Sequence, residues 1–393
     1  MLRITQILRC LIPQGPPPSS RTAGGSGRGP VVIWNITRRC NLSCLHCYSS
    51  SKDVPYEREL TTEEALRVLD DLASFRVQAL ILSGGEPLLR EDVFLLIREA
   101  RDRGIPTSLS TNGMLITPPV AREIRRSGLS YVGISLDGIG SVHDRFRRVD
   151  GAFRKTLEAV RLCRDQGVKV GLRFTLTRHN LADLPRLFHL MEEERIPKLY
   201  LSHLVYAGRG IRARDADLSL EETRFAVDYI IEKALQYALS GAIHEIVTGN
   251  NDADGVYLYL KLKDRFPEKA EILYRRLCAW GGNSSGVMLA NLDSRGDVHP
   301  DPFWAHYTFG NVRERPFSAI WTDLSDPLMA ALKRRPRRIK GRCAACRFME
   351  ICGGNTRVRA QCVTGDPWAS DPACYLTDEE IGAAAPVAQA VGG

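Results

Sequence analysis

Cys40, Cys44 and Cys47 are spaced C-x3-C-x2-C within one short stretch. Thiolates are soft ligands that select iron–sulfur clusters, zinc or copper(I). A 4Fe-4S cube normally takes four cysteines. Three cysteines with no near fourth would leave one iron open to chelate a substrate or cofactor. A zinc loop borrowing a distant fourth ligand is the rival for this spacing. The stretch follows Val31-Val32-Ile33-Trp34-Asn35-Ile36, an apolar, β-branched run that predicts a strand. The cysteines then sit at the carboxyl end of that strand, where α/β sheets place their chemistry.

A second set lies near the other end of the chain. Cys343, Cys346, Cys352 and Cys374 are spaced C-x2-C-x5-C-x21-C. Four thiolates fill every site of a 4Fe-4S cluster or of one tetrahedral zinc, and spacing alone leaves both open. The chain holds eleven cysteines. Seven fall into these two tight sets, which suits metal binding in a reducing, cytoplasmic compartment better than disulfides. Cys10 and Cys163 read as structural, and Cys278 and Cys362 are left over.

The elements that must position these groups repeat from Val31 onward as strand, loop and amphipathic helix. Strands are expected at 31–36, 78–83, 106–110, 131–136, 168–175 and 198–204. Thr61 caps an intervening helix, and Gly104, Gly128 and Gly167 stop others. Six alternations without hairpin turns predict parallel β/α winding. Polar residues close successive strands: Ser83-Gly84-Gly85-Glu86-Pro87, then Ser110-Thr111-Asn112-Gly113, then Ser135-Leu136-Asp137-Gly138. Such ends face one shared mouth. The two glycines would let backbone approach a ligand closely.

Size and charge bound the rest. The chain has 393 residues, 44% hydrophobic, with a formal net charge of +8. No apolar run reaches the ~18 residues of a membrane span, and the opening residues do not form a signal peptide. No basic run is interleaved with aromatics, so nucleic acid is not expected. A basic balance favours an anionic small substrate. Residues 1–29 and 379–393 read as flexible tails, with Pro, Gly, Ser and Arg dominating the first from residue 11. Residues 206–277 read as a mostly helical bridge. Within it Asn250, Asp252, Asp254 and Gly255 have calcium-loop offsets, but Lys261 stands where a bidentate Glu is required.

The Cys40–Cys47 stretch resembles the cluster loop of radical S-adenosylmethionine (SAM) enzymes. His46 fills the aromatic slot before the third cysteine and is read as packing. The GGE triplet one unit later resembles the family's motif for the methionine amino group. The resemblance implies a partial (β/α)6 TIM-type barrel over 30–205. It implies SAM contacts at Gly84, Gly85, Glu86, Asn112, Ser135, Asp137, Arg173 and Leu204. The carboxyl-terminal cysteines resemble a SPASM/Twitch extension over 278–378. That implies a second, auxiliary 4Fe-4S cluster on Cys343, Cys346, Cys352 and Cys374. A first auxiliary set is reduced to Cys278, with Asp301 and Thr356 where cysteines would stand. The stretches LSHLVYAGRG (201–210), TGNNDADGVY (248–257) and WGGNSSG (280–286) resemble the heme d1 biosynthesis branch of the family. The branch implies an anionic iron tetrapyrrole, didecarboxysiroheme, losing two propionate side chains. It also implies a flavodoxin or ferredoxin as electron donor. Arg209, Arg212 and Arg214 are candidate carboxylate clamps, and His203, His299 and His306 candidate iron ligands or proton donors. The alternatives are a related heme-pathway decarboxylase-type enzyme, a SPASM peptide maturase, and a zinc-stapled or cluster-carrying binding protein without catalysis.

Overall fold

The computed structural model describes residues 1–9 and 29–383. All six expected strands form: β1 (Gly29–Thr37), β2 (Val77–Gly84), β3 (Thr107–Thr111), β4 (Tyr131–Ser135), β5 (Val170–Leu176) and β6 (Lys198–His203). Each pairs with the next in parallel. Parallel neighbours need crossovers, and helices supply them. The first crossover, Thr62–Ser74, starts with a capping box between Thr61 and Glu64 and buries Ala65, Val68, Leu69 and Leu72. A later one, Pro118–Ser127, ends at Gly128 in the left-handed region, φ 79°, a geometry glycine adopts without Cβ strain. The strands are buried on the faces the helices cover: Val32, Trp34 and Ile36 on β1 have no exposed surface.

The sheet is larger than six strands. β7 (Glu245–Gly249) joins β6 in parallel, and β8 (Leu289–Leu292) joins β1 in parallel. β9 (Asp297–His299) and β10 (Gly310–Asn311) continue antiparallel beyond β8. The order is β10-β9-β8-β1-β2-β3-β4-β5-β6-β7, with β7 and β10 at the two ends. The partial barrel is therefore open, and its sheet crosses the expected segment limits at 205 and 278. The 206–277 bridge is helical at Leu220–Ser240, Ala253–Lys263 and Ala270–Trp280, but β7 lies inside it.

Two tail expectations need correction. Residues 1–9 are ordered. Ile4–Arg9 is helical, Leu2, Ile4 and Leu8 are buried, and Leu2 exchanges both backbone hydrogen bonds with Thr248 of β7 at 2.8 and 2.9 Å. These apolar side chains have a sheet and a helix to cover, which composition alone does not reveal. Residues 10–28 lie outside the described residues. At the other end, Thr377 and Glu380 form a capping box on Asp378–Ile381, and Arg224 holds Glu380 at 2.8 and 2.9 Å. The rest of that tail, 384–393, lies outside the described residues. No described helix is long and apolar enough to cross a membrane.

Candidate active site

The cysteine loop leaves the end of β1 and is pinned from two sides. On one side, Gly85 N–H donates to the Thr37 carbonyl and Glu86 N–H to the Arg39 carbonyl, both at 2.8 Å. A Cβ at Gly85 would lie 2.2 Å from the Arg39 carbonyl oxygen, and one at Gly84 2.2 Å from that of Thr37. The close approach these glycines permit is thus to the loop's own backbone. On the other side, Arg209 donates from its backbone N–H to the Cys47 carbonyl at 2.9 Å. Its guanidinium donates to the Cys44 and Ser51 carbonyls, each at 2.8 Å. Arg209 is therefore a clamp on the loop, not the carboxylate clamp expected of it. Its partners are carbonyl groups, which leave no trace in a sequence.

Cys40 and Cys44 are buried and Cys47 is half-buried. Burial pushes the Cys40 thiol up to about 12, so metal entry must expel its proton. Arg147 lies alongside. One guanidinium nitrogen is 3.3 Å from Cys44 Sγ and another is held by the Asp137 carboxylate. Burial works against the Arg147 charge, but Asp137 and the Cys44 sulfur outweigh it and hold its pKa above the ordinary value. Asp137 also accepts from Thr175 N–H at 2.8 Å and lies 3.5 Å from His46 Nε2. Its own burial is overcome by Arg147, and its pKa falls below the usual range. His46 packs edge-on against Phe146, and burial lowers its pKa. Packing is thus its role, as expected.

Three buried polar atoms around this loop have no partner among the described residues: Arg147 Nε, Arg209 Nη2 and His46 Nδ1. Soft thiols beside two buried guanidinium groups with donors to spare suit an anionic iron–sulfur cluster. Nowhere among the described residues do three His, Cys, Asp or Glu side chains already converge as a metal-binding group.

The predicted SAM contacts do not all sit together. Glu86, fully buried, accepts from Thr111 Oγ1 at 2.7 Å, Asn112 N–H at 2.8 Å and Leu88 N–H at 3.2 Å. Burial, outweighing these bonds, raises its pKa. Its carboxylate ties the ends of β2 and β3 together. Asn112 donates to Asn41 Oδ1 at 2.8 Å and points at Cys40 Sγ from 3.9 Å. Glu86, Asn112 and Asp137 thus gather around the cysteine loop. Ser135 and Arg173 are register partners across β4 and β5, and the Arg173 guanidinium lies 5.2 Å from the centre of the Tyr200 ring. Gly84 lines the main cleft, whereas Leu204 is buried with its carbonyl taken by Arg359 at 3.0 Å.

That cleft encloses about 1010 Å³ beside the cysteine loop, large for a small-molecule site. Tyr48 and Gly208 line it near Cys47, with Arg38, Tyr56, Phe303 and His306 among its other walls. Sequence reasoning missed Arg38, Tyr48 and Tyr56. Their placement immediately around the cysteine stretch was the available signal. Arg212 and Arg214 do not line the cleft, and Arg214 stacks on Tyr206 at 5.7 Å. Two of the three candidate histidines are also elsewhere. His203 is buried 3.1 Å from Asp254 and stacked on Tyr375. His299 is buried 2.7 Å from the Tyr307 carbonyl.

The carboxyl-terminal cysteines lie within electrostatic reach of one another without converging on a single point. Burial raises the pKa of Cys346, Cys352 and Cys374, the last to about 11, and neighbouring thiols of this set, including Cys343, add to the rise. Buried Arg357 lies near Cys343 and Cys352 with one guanidinium nitrogen unpartnered, again a surplus of positive charge beside thiols. Cys278 sits apart, against Tyr274 and Glu350. Asp301 accepts from Ser285 Oγ at 2.6 Å and Phe303 N–H at 2.8 Å, so both its oxygens are engaged. Cys163 is a core residue with no exposed surface, and burial pushes it up to about 12.

The calcium-like run is a latch. Asp254 accepts from Tyr375 Oη at 2.7 Å, and Asn251 donates to the Ala373 carbonyl at 2.9 Å and accepts from Asn355 at 2.7 Å. Arg359, fully buried with Asp371, donates to the Asn250 carbonyl at 3.0 Å. These bonds fasten the cysteine-rich segment to the end of β7.

Comparison with known proteins agrees with this geometry. The profile described as the Radical SAM superfamily matches residues 34–191. Pre-heme d1 synthase of Dinoroseobacter shibae is 52% identical over 387 residues, 98% of this chain and 94% of its own. Fe-coproporphyrin III synthase of Methanosarcina barkeri is 50% identical over 368 residues, 93% and 92% of the two chains. Among solved structures, Streptococcus suis SuiB superposes with a TM-score of 0.69 at 18% identity over 89% of this chain and 78% of its own. Native anSMEcpe with bound AdoMet gives 0.68, at 18% identity over 90% and 96%. At such identities the structures speak to the fold.

Proposed function

The chain belongs to the radical SAM superfamily, and we propose that it acts in heme d1 biosynthesis, removing two propionate side chains of didecarboxysiroheme. The observation that carries this reading is the extent of its likeness to pre-heme d1 synthase, which runs through barrel and cysteine-rich segment alike. In this family SAM bound at a 4Fe-4S cluster supplies a 5′-deoxyadenosyl radical, and the protein orients substrate and excludes water.

In this reading Cys40, Cys44 and Cys47 hold the SAM-binding cluster, and Arg147 and Arg209 hold the loop that presents them. Gly84, Gly85, Glu86, Asn112, Ser135, Asp137, Arg173 and Leu204 shape the SAM pocket. For Glu86 and Asp137 that role is exerted through the bonds that fix the strand ends. Cys343, Cys346, Cys352 and Cys374 hold an auxiliary 4Fe-4S cluster whose role is to accept an electron. Replacing Cys343 and Cys346 together should halve the iron content and abolish product while SAM cleavage persists; full turnover without the second cluster would refute that role. A cytoplasmic location and a flavodoxin or ferredoxin donor complete the proposal.

Fe-coproporphyrin III synthase, nearly as similar, supports a second reading in which Fe-coproporphyrin III is the product. One experiment separates them: anaerobic incubation of the reconstituted, reduced protein with SAM and didecarboxysiroheme, reading 5′-deoxyadenosine and tetrapyrrole mass together. Loss of two propionates supports the first reading, and Fe-coproporphyrin III the second. Deoxyadenosine with an unchanged tetrapyrrole overturns both.

A further inference from the structure

We propose that the cleft beside the cysteine loop seats the tetrapyrrole, with Arg38 and Arg58 taking its carboxylates and His306 facing its iron. This deepens the tetrapyrrole reading above and rests on it. Several arginines near the cysteine loop are already engaged. Arg39 is bound to Asp53 at 2.7 Å, Arg90 to Asp92 at 2.6 Å and Arg313 to Glu64 at 2.6 Å. Arg209 is turned onto the loop carbonyls of Cys44 and Ser51. Arg38 and Arg58 both line the cleft and are exposed. Neither guanidinium has a hydrogen bond or ion pair among the described residues.

Both are nevertheless held in place by their backbones. Arg38 N–H donates to Glu59 Oε1 at 2.6 Å, and its guanidinium lies 5.0 Å from the centre of the Tyr56 ring. Arg58 sits in the left-handed region, φ 62°, a costly conformation for a side-chain-bearing residue, and its carbonyl accepts two bonds from Arg313 at 3.2 Å. Planar forks with five donors each, free and pre-positioned, match carboxylates. Two acids also line the cleft. Asp293 is engaged by the Arg295 and Asp297 N–H groups, each at 2.9 Å, which leaves Glu57 as the acid without a partner among the described residues.

The remaining walls suit a flat macrocycle. Tyr48 and Phe303 meet edge to face at 5.5 Å, and Tyr56 lies under Arg38. His306 is the histidine that lines the cleft. Its Nε2 faces Gln361 Oε1 at 3.0 Å. One ring nitrogen is thus engaged, and the other has no partner among the described residues and is the one offered to the iron.

The test is an anaerobic absorption titration of the reconstituted protein with didecarboxysiroheme, without SAM. Arg38→Gln and Arg58→Gln should each weaken binding about tenfold, the size of one lost charge-assisted hydrogen bond. Arg126→Gln, the same charge loss on a distant exposed helix, should leave binding unchanged. His306→Ala should bind with shifted tetrapyrrole bands and an altered iron spin state. Iron content and unfolding temperature verify that each variant is intact. If both arginine variants bind like wild type, the clamp is wrong; if the His306→Ala spectrum is unchanged, His306 does not face the iron. If the wild type binds no tetrapyrrole, the reading of function falls first and this proposal falls with it.

Discussion

Arg147 and Cys44, 103 residues apart in the chain, meet at 3.3 Å, with the other arm of the guanidinium held by Asp137. The contact joins the cysteine loop to the helix after β4. It also sets a buried positive charge beside a sulfur that must become a thiolate to bind metal.

Replacing Arg147 with Met should leave Asp137 buried without its partner. Breaking one side of such a pair costs about 3–5 kcal/mol. Urea unfolding of the metal-free chain reads this directly. In the reconstituted protein the cluster potential, followed by redox titration of its electron paramagnetic resonance signal, should move to more negative values, because a positive charge has been lost. An unchanged potential would mean that the contact serves only the fold.

Gly85→Ala would drive a methyl group to 2.2 Å from the Arg39 carbonyl oxygen. The loop must shift, at a cost of about 1–3 kcal/mol, and the cysteines shift with it. Iron uptake on reconstitution should fall well below wild type while far-ultraviolet circular dichroism is kept. Wild-type iron content would show that the close approach is dispensable.

His299 gives a pH dependence whose sign is fixed. Burial opposes its charge, but the Asp293 carboxylate at 3.9 Å and the Tyr307 carbonyl outweigh burial, and its pKa is raised. The stabilisation is complete below the ordinary histidine pKa of about 6.5 and is lost as pH rises through the raised value. The urea midpoint of wild type minus that of His299→Gln should therefore shrink as pH rises above the ordinary histidine value of about 6.5. A difference that is flat with pH would reject the assignment.

Arg359 and Asp371 form a fully buried pair with bonds at 2.8 and 2.9 Å. Arg359→Met should cost about 3–5 kcal/mol, and pairing it with Asp371→Leu should recover part of that, since no lone charge remains. If the double variant is as unstable as the sum of the singles, the carbonyl bonds of Arg359 matter more than its ion pair.

The six barrel strands were legible because short apolar or β-branched runs recur between amphipathic helices and glycine stops. β7 was not, since Glu245–Gly249 lies beyond the regular strand–helix rhythm and opens directly into a polar loop. β8, β9 and β10 are shorter still, and sheet partners rather than pattern hold them. The cysteine sets were legible because metal ligation restricts both residue type and spacing. The GGE glycines were legible as a close approach, but the approaching atoms proved to be the loop's own carbonyls. Arg147 left no signal: it sits in a helix of mixed charge, and only folding brings it to Cys44.

The Leu2–Thr248 pairing has a consequence for the chain before it acquires iron. A ten-stranded sheet with free ends offers rows of unpaired backbone groups to other chains. Here one end is a strand of two residues, and part of the other is occupied by the chain's own first residues. The open barrel thus carries its own guard against edge-to-edge aggregation.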